Sequence, residues 1–320
     1  MKGIRNRKVK IGCASGFWGD TSTAAKQLVD DNNIDYLVFD FLAEVTMSIL
    51  AGSKLKNPNL GYATDFVTQL SPLLKDLQTK SIKVISNAGG INPEACRSML
   101  VEEAKKVGVD LKIAIVFGDD LINSIDELKR LDLKEIDTNK PLPENILSIN
   151  AYLGAPAIAA ALKEGADIVI TGRCVDSAMV LGPLMHEFNW KHDDYDYLAN
   201  GSLAGHIIEC GAQCTGGNFT DWEGIKGFDN IGFPLKIIPR IVGSFLIEDK
   251  VNWISFISSL DSAFLFLGLL NQIVNQLASY SKIRCLVFCN FLLIMISLFY
   301  FNSSAKCLLI GISYSRICCA

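Results

Sequence analysis

A chain of 320 residues, half of them hydrophobic, has ample material for a core, and its length fits one large α/β domain or two smaller ones. A formal charge of −4 and a pI near 5.5 leave no basic surface for phosphate backbones, which argues against nucleic acid as a main partner and favours small molecules or proteins. Five of the ten cysteines (Cys285, Cys289, Cys307, Cys318 and Cys319) crowd the C-terminal end and the rest are scattered, so no disulfide framework emerges and a reducing compartment is expected.

The N-terminus, Met1 to Lys10, is basic but lacks the apolar run of a signal peptide, so the cytoplasm is the expected location, with the mitochondrion as the alternative. A first β-rich run, Val9–Cys13, enters the connection Ala14-Ser15-Gly16-Phe17-Trp18-Gly19-Asp20-Thr21. Its backbone N–H groups around Gly16 and Gly19 suit an anion, and Asp20 or Thr21 is placed to cap the next helix. Neither the G-x-G-x-x-G fingerprint nor the P-loop lysine is present.

A second run, Tyr36–Phe41, places Asp40 and Glu44 where a buried strand gives way to a helix, and either carboxylate suits a base or a metal ligand. Phe66, Leu70, Leu73, Leu74 and Leu77 then fall on one face of a helix over Thr64 to Lys80, kinked or started afresh by Pro72.

The third run, Lys83–Ser86, leads into Asn87-Ala88-Gly89-Gly90-Ile91-Asn92-Pro93. There the paired glycines Gly89 and Gly90 allow close backbone approach, and the next helix offers its positive end beside Asn87 and Asn92. That helix, Pro93 to Val107, has both ends written in its chemistry: Asn92 as N-cap, Pro93 at the first position, Lys105 and Lys106 in the last turn, Gly108 as C-cap.

A fourth run, Lys112–Phe117, is followed by Gly118-Asp119-Asp120, and a helix near Pro156 to Glu164 precedes the fifth, Asp167–Thr171. The fifth opens into Thr171-Gly172-Arg173-Cys174-Val175-Asp176. Arg173 stands out, because a guanidinium at a strand end can hold a carboxylate or phosphate on two parallel bonds while the other charges at this rim are mostly negative.

Strands that are continuously hydrophobic and alternate with helices predict a wound, mainly parallel sheet with helices on both faces, Rossmann-like in layout. Ligands bind such sheets beyond the carboxyl ends of the strands. Any one of these Gly- and Asp-bearing turns is what a strand-to-helix connection needs anyway, whereas several on one edge describe a shared site. The candidates are Asp20, Asp40, Glu44 and Asp176 for proton transfer, with Gly16, Gly19, Asn87, Gly89, Gly90, Asn92 and Arg173 holding an anionic substrate.

Further on, His206, Glu209 and Cys210 share a helical face, with Cys214 one turn later, and are candidates for a divalent metal. The spacing is no zinc signature, and an ordinary helix with buried cysteines is the favoured reading. His192-Asp193-Asp194-Tyr195-Asp196 is expected as a solvated acidic loop opening a helix. From about Trp253 charged residues nearly vanish, and Cys285 to Phe301 is a run broken only by Asn290 and Ser297, slightly short of the roughly 20 residues that span a bilayer. The chain is therefore divided into an α/β domain, 1–245, and an apolar, cysteine-bearing tail, 246–320, for which membrane contact through 285–301 is the alternative to an off-family extension.

Four stretches carry a resemblance. They are Ile11 to Asp20, Asn87 to Pro93, Thr171 to Ser177, and Gly201-Ser202-Leu203-Ala204-Gly205-His206-Ile207-Ile208-Glu209-Cys210-Gly211-Ala212-Gln213-Cys214-Thr215-Gly216-Gly217-Asn218-Phe219. Over residues 8 to 235 the chain resembles the acyclic terpene utilisation (AtuA-like) family. The resemblance implies a role in the breakdown of acyclic isoprenoids through acyl-CoA intermediates, with an acyl-CoA as ligand and acyl-CoA carboxylase subunits as partners, and it brings no catalytic residues. After Gly232-Phe233-Pro234 the chain leaves the family pattern, so an incomplete C-terminal part is expected. The leading expectation is an enzyme or enzyme subunit acting on an acyl-CoA or related carboxylate. Its alternatives are a non-catalytic scaffold of a biotin-dependent carboxylase and an inactive truncated family member.

Overall fold

The computed structural model describes residues 8–31, 33–215, 223, 236–240 and 244–248. Two compact units are distinguished, one of Met1–Leu133 with Pro143–Val251 and one of Lys134–Leu142 with Asn252–Ala320. In the second, only 134–142 is described: Lys134 bridges Pro141, and the Glu135 carboxylate accepts the N–H groups of Asp137 and Thr138. The apolar run 285–301 and Cys214's side chain lie outside what is described. Among the described residues no helix is long and apolar enough to cross a membrane.

The first unit is a wound α/β fold. Its strands β1 (Ile11–Cys13), β2 (Tyr36–Phe39), β3 (Lys83–Ser86), β4 (Ile113–Val116), β5 (Ile168–Thr171), β6 (Lys236–Arg240) and β7 (Ser244–Glu248) form one sheet in the order β4-β5-β3-β2-β1-β6-β7. The first five strands pair in parallel, and β6 and β7 add antiparallel beside β1.

Strand order fixes where the helices lie. From β1 to β4 each crossover steps in the same direction, so right-handed connections put α1 (Ala24–Asp30), α2 (Glu44–Lys56), α3 (Thr64–Leu70), α4 (Leu74–Lys80) and α5 (Pro93–Val107) on one face. The chain then turns back to insert β5 between β3 and β4. The same handedness now sends α7 (Ala155–Lys163) to the opposite face, with α8 (Ala178–Phe188) and α9 (Tyr195–Ile208). The short α6 (Ile125–Arg130) lies in the long connection before α7.

Each continuously apolar strand divides its residues between two cores. Leu37, Phe39, Val84, Ile168 and Ile170 pack with α1 to α5, where Phe39 stacks on Phe41 and meets Phe66 edge-on. Tyr36, Val38, Ile85 and Val169 pack with α7 to α9, joining Ile158, Leu162, Met179 and Ile208. That two-sided burial is why period-2 alternation is missing from the sequence.

The helix expected over Thr64–Lys80 is three pieces: α3, a 3-10 turn at Ser71–Leu73 containing Pro72, and α4. Proline lacks the N–H that would continue the α ladder, so the turn tightens there while Phe66, Leu70, Leu73, Leu74 and Leu77 stay buried. α5 keeps the expected bounds, with Asn92 Oδ1 accepting from Ala95 N–H at 3.4 Å and Gly108 left-handed at φ 71°. The 192–196 loop opens α9, with Asp194 at the N-cap.

Candidate functional site

The strand order reverses between β3 and β5, whose exits lead to opposite faces of the sheet, and a crevice is expected at such a point. Asp40, Asn87, Arg173 and Asp176 gather here.

Asp40 follows β2 and is 3% exposed. Its Oδ1 accepts from Asn87 Nδ2 at 2.7 Å and from Leu42 N–H at 3.2 Å, while Asn87 Oδ1 accepts from Phe41 N–H at 2.8 Å. Ser15, buried at the end of β1, donates its hydroxyl to the Asp40 carbonyl at 2.6 Å. The residue is thus fixed from β1 and β3 at once.

Arg173 follows β5 and is 5% exposed. Its N–H goes to the buried Asp119 carboxylate at 2.7 Å. Nη1 donates to Leu42 O at 2.9 Å, Cys174 O at 3.3 Å and Asp176 Oδ1 at 2.8 Å, and Nη2 to the Tyr152 hydroxyl at 3.0 Å and Glu44 Oε1 at 3.4 Å. The Tyr152 ring lies 4.2 Å from the guanidinium carbon, and its hydroxyl donates to Glu44.

Glu209 arrives from the end of α9 and is 8% exposed. Gly205 makes this possible, since a Cβ there would lie 2.6 Å from the Ser177 carbonyl and 2.9 Å from Ser177 Cα. The bare backbone lets α9 press against the start of α8, and oxygens of Asp40, Asp176 and Glu209 come within 4.8 Å of one another.

The sequence of this site and its surroundings decides the family. The model of the acyclic terpene utilisation family protein AtuA matches residues 9–252. The chain belongs to the AtuA family. Membership ties it to the utilisation of acyclic terpenes. Comparisons with curated proteins and with solved structures find no match.

In this AtuA-family chain the electrostatics of the three carboxylates differ by environment. Burial pushes the Asp40 carboxyl well above the usual carboxylate range, reinforced by the negative charges of Asp176 and Glu209. Glu209 is raised by the same causes, burial first and then Asp176. Asp40 is the partner that keeps the proton, and it hydrogen-bonds the Glu209 carboxylate. Asp176, whose side chain is 37% exposed, is the member that meets solvent. Burial works against the charge of Arg173, but Asp176 and Tyr152 outweigh it and hold the guanidinium firmly protonated. Glu44 is held below its ordinary value, first by the Tyr152 hydroxyl and less by Arg173.

An all-oxygen set suits a hard divalent cation. Asp40, Asp176 and Glu209 are the residues that would hold one here, with Arg173 as the neighbouring positive charge. Of the three metal candidates His206, Glu209 and Cys210, only Glu209 enters this cluster, where it meets Asp40, which the sequence offered as a base or metal ligand. His206 Nδ1 lies 3.7 Å and Cys210 Sγ 3.5 Å from its Oε1, and the His206 side chain is 47% exposed.

The remaining sequence candidates serve their own turns. Asp20 accepts from Gly16 N–H at 3.0 Å and Thr21 N–H at 2.7 Å, so it closes the β1 connection instead of capping α1, whose N-cap is Thr23. Gly19 is exposed, with φ 93°. Space beside Gly89 and Gly90 is filled, since a Cβ on either would meet Thr171 O or Leu50 Cδ1 at 2.5 Å. Asn92 caps α5 and donates to Pro58 O and Leu60 O. Glu44 sits at the rim, its side chain 70% exposed. Tyr152 was not legible, because it lies in the connection before α7 with no motif around it. Glu209 was legible only as a partner of His206 and Cys210.

Proposed function

We propose that this chain is an enzyme of acyclic terpene breakdown that moves a proton on an acyl-CoA or related carboxylate, with Asp40 and Glu209 as its acid–base pair. The observation that carries the reading is the meeting of buried Asp40 and Glu209 at the reversal of the strand order, where burial favours a proton on one of them, with Asp176 opening the pair to solvent. Hydration, dehydration and enolisation each need one group that accepts a proton beside one that gives it, and environments that push two carboxyls apart supply that division. Glu209, as carboxylate, takes the proton; Asp40, as acid, returns one; Arg173 orients Asp176 through its 2.8 Å bond and holds the substrate's negative charge. Asp20 has no part in the transfer, being tied to Gly16 and Thr21.

The test is incorporation of solvent deuterium into the acyl chains of a panel of CoA esters and free acids, isoprenoid ones included, read by mass spectrometry with the full chain in heavy water. Incorporation that disappears in Asp40→Asn and in Glu209→Gln supports the pair. Incorporation indifferent to both substitutions rejects it.

A second reading, a non-catalytic partner of a biotin-dependent carboxylase, is favoured by one feature: Phe117, Leu131 and Leu147, between β4 and α7, are 61%, 62% and 66% exposed. Copurification of carboxylase subunits, abolished by changing those residues to serine and unaccompanied by any deuterium incorporation, would select it.

A further inference from the structure

The side-on edge of a guanidinium, formed by Nε and Nη2, is the edge that matches a carboxylate on two parallel bonds. In Arg173 this edge is the least satisfied part of the group. Nη1 has three acceptors, whereas Nε is buried with no partner and Nη2 has only the movable pair, the Tyr152 hydroxyl at 3.0 Å and Glu44 at 3.4 Å. Burying a donor without an acceptor is unfavourable, and such a group calls for an explanation. The Arg173 side chain is 6% exposed while that of Glu44 is 70% exposed, so a surface carboxylate leans in over a buried cation. Tyr152 holds it there, donating to Glu44 while its half-exposed ring covers the guanidinium. The backbone on either side of Tyr152 is fixed, with Ala151 N–H donating to Asp119 O at 2.8 Å and Leu153 N–H to Arg173 O at 3.1 Å, so the part that can turn is its exposed side chain.

We propose that Glu44 and Tyr152 are a displaceable cover on a carboxylate site: Glu44 stands in for the carboxylate of a small organic acid, which takes the Nε–Nη2 edge of Arg173 when Tyr152 turns out. This rests on the reading that Arg173 holds an anionic substrate, and it specifies how that substrate is admitted. Empty, the site keeps Arg173 neutralised and away from water. On binding, Glu44 returns to solvent, where its loss is small because a surface ion pair is worth little.

The probe is 3-methylbut-2-enoate, titrated calorimetrically into the full chain at constant ionic strength, with its CoA thioester, which has no free acyl carboxylate, as the parallel arm. Glu44→Gln, which removes the competing charge, should bind the free acid about two- to fivefold more tightly than the wild type, with no such gain for the thioester. Tyr152→Phe, which releases Glu44 from its hydroxyl partner, should move affinity the same way, and thermal unfolding checks that both variants fold. Equal or weaker binding of the free acid to Glu44→Gln overturns the cover. If the wild type still binds the acid and exchanges deuterium, the reading of Arg173 as anchor survives that failure. If neither the wild type nor either variant binds the acid, the cover and the anchor fall together.

Discussion

Replacing Asp40 separates a shared proton from a mere buried carboxylate. Asp40→Asn keeps an oxygen to accept from Asn87 Nδ2 (2.7 Å) and Leu42 N–H (3.2 Å), and its amide can donate to Glu209 as the protonated acid does. Asp40→Ala strands both buried donors, and at about 1–3 kcal/mol for each the loss should be roughly 2–6 kcal/mol. The asparagine variant should therefore lie within about 1 kcal/mol of the wild type or above it at pH 7. The sign with pH follows from the raised value of Asp40 in the fold. The native state binds this proton more tightly than the unfolded chain, so the stabilisation is complete below the unfolded carboxyl value of about 3.9 and is lost as pH rises through the folded value. Stability of Asp40→Asn relative to wild type should accordingly improve as pH rises above about 4. Urea unfolding of all three proteins across that range reads the effect. Parallel wild-type and asparagine curves, or an asparagine variant as damaged as the alanine one, would refute the shared proton.

Other consequences can be measured in the same preparations. Gly205→Ala should cost about 1–3 kcal/mol in urea unfolding and abolish deuterium incorporation, because the backbone of Ser177 has no room to give, whereas Gly52→Ala, with nothing within 4 Å, should be neutral or stabilising. Arg173→Ala should lose about 3 kcal/mol, toward the low end for breaking a buried pair since Asp176 and Glu44 reach solvent, and Arg173→Lys should recover only part of it. Cys174, whose thiol burial raises to about 12, and the buried Cys96, raised by the same cause, should resist alkylation at pH 8 until the chain is unfolded, while the half-buried Cys210 reacts in the native state, as peptide mapping would show.

The parts of the fold legible in the sequence are those whose signals are local. α5 announced both ends because Asn92, Pro93 and Gly108 each satisfy a terminus by themselves, and the five parallel strands were marked by apolar runs between glycine-bearing turns. Strand ends were less sharp: Phe41 reads as strand, yet its N–H goes to the Asn87 side chain and not to the ladder. The site was legible as far as strand exits define it, which covers Asp40, Asn87, Arg173 and Asp176. Glu209 and Tyr152 reach it from α9 and from a long connection, and no spacing along the chain encodes that meeting. Gly89 and Gly90 looked like a cradle because a glycine that admits a ligand and one that admits a neighbouring strand or helix are identical in sequence; here Thr171 of β5 and Leu50 of α2 take the space.

The acid–base pair requires a proton held between Asp40 and Glu209 above the pH at which ordinary carboxyls ionise. Carbon-13 labelling of the aspartate and glutamate carboxyls, followed by NMR from pH 3 to 9, reads that proton directly. The expected result is a carboxyl resonance that ionises well above the ordinary carboxylate range and is absent from Asp40→Asn. A wild-type spectrum in which every carboxyl among the resolved signals, Asp40 and Glu209 included, has ionised by pH 5 would contradict it.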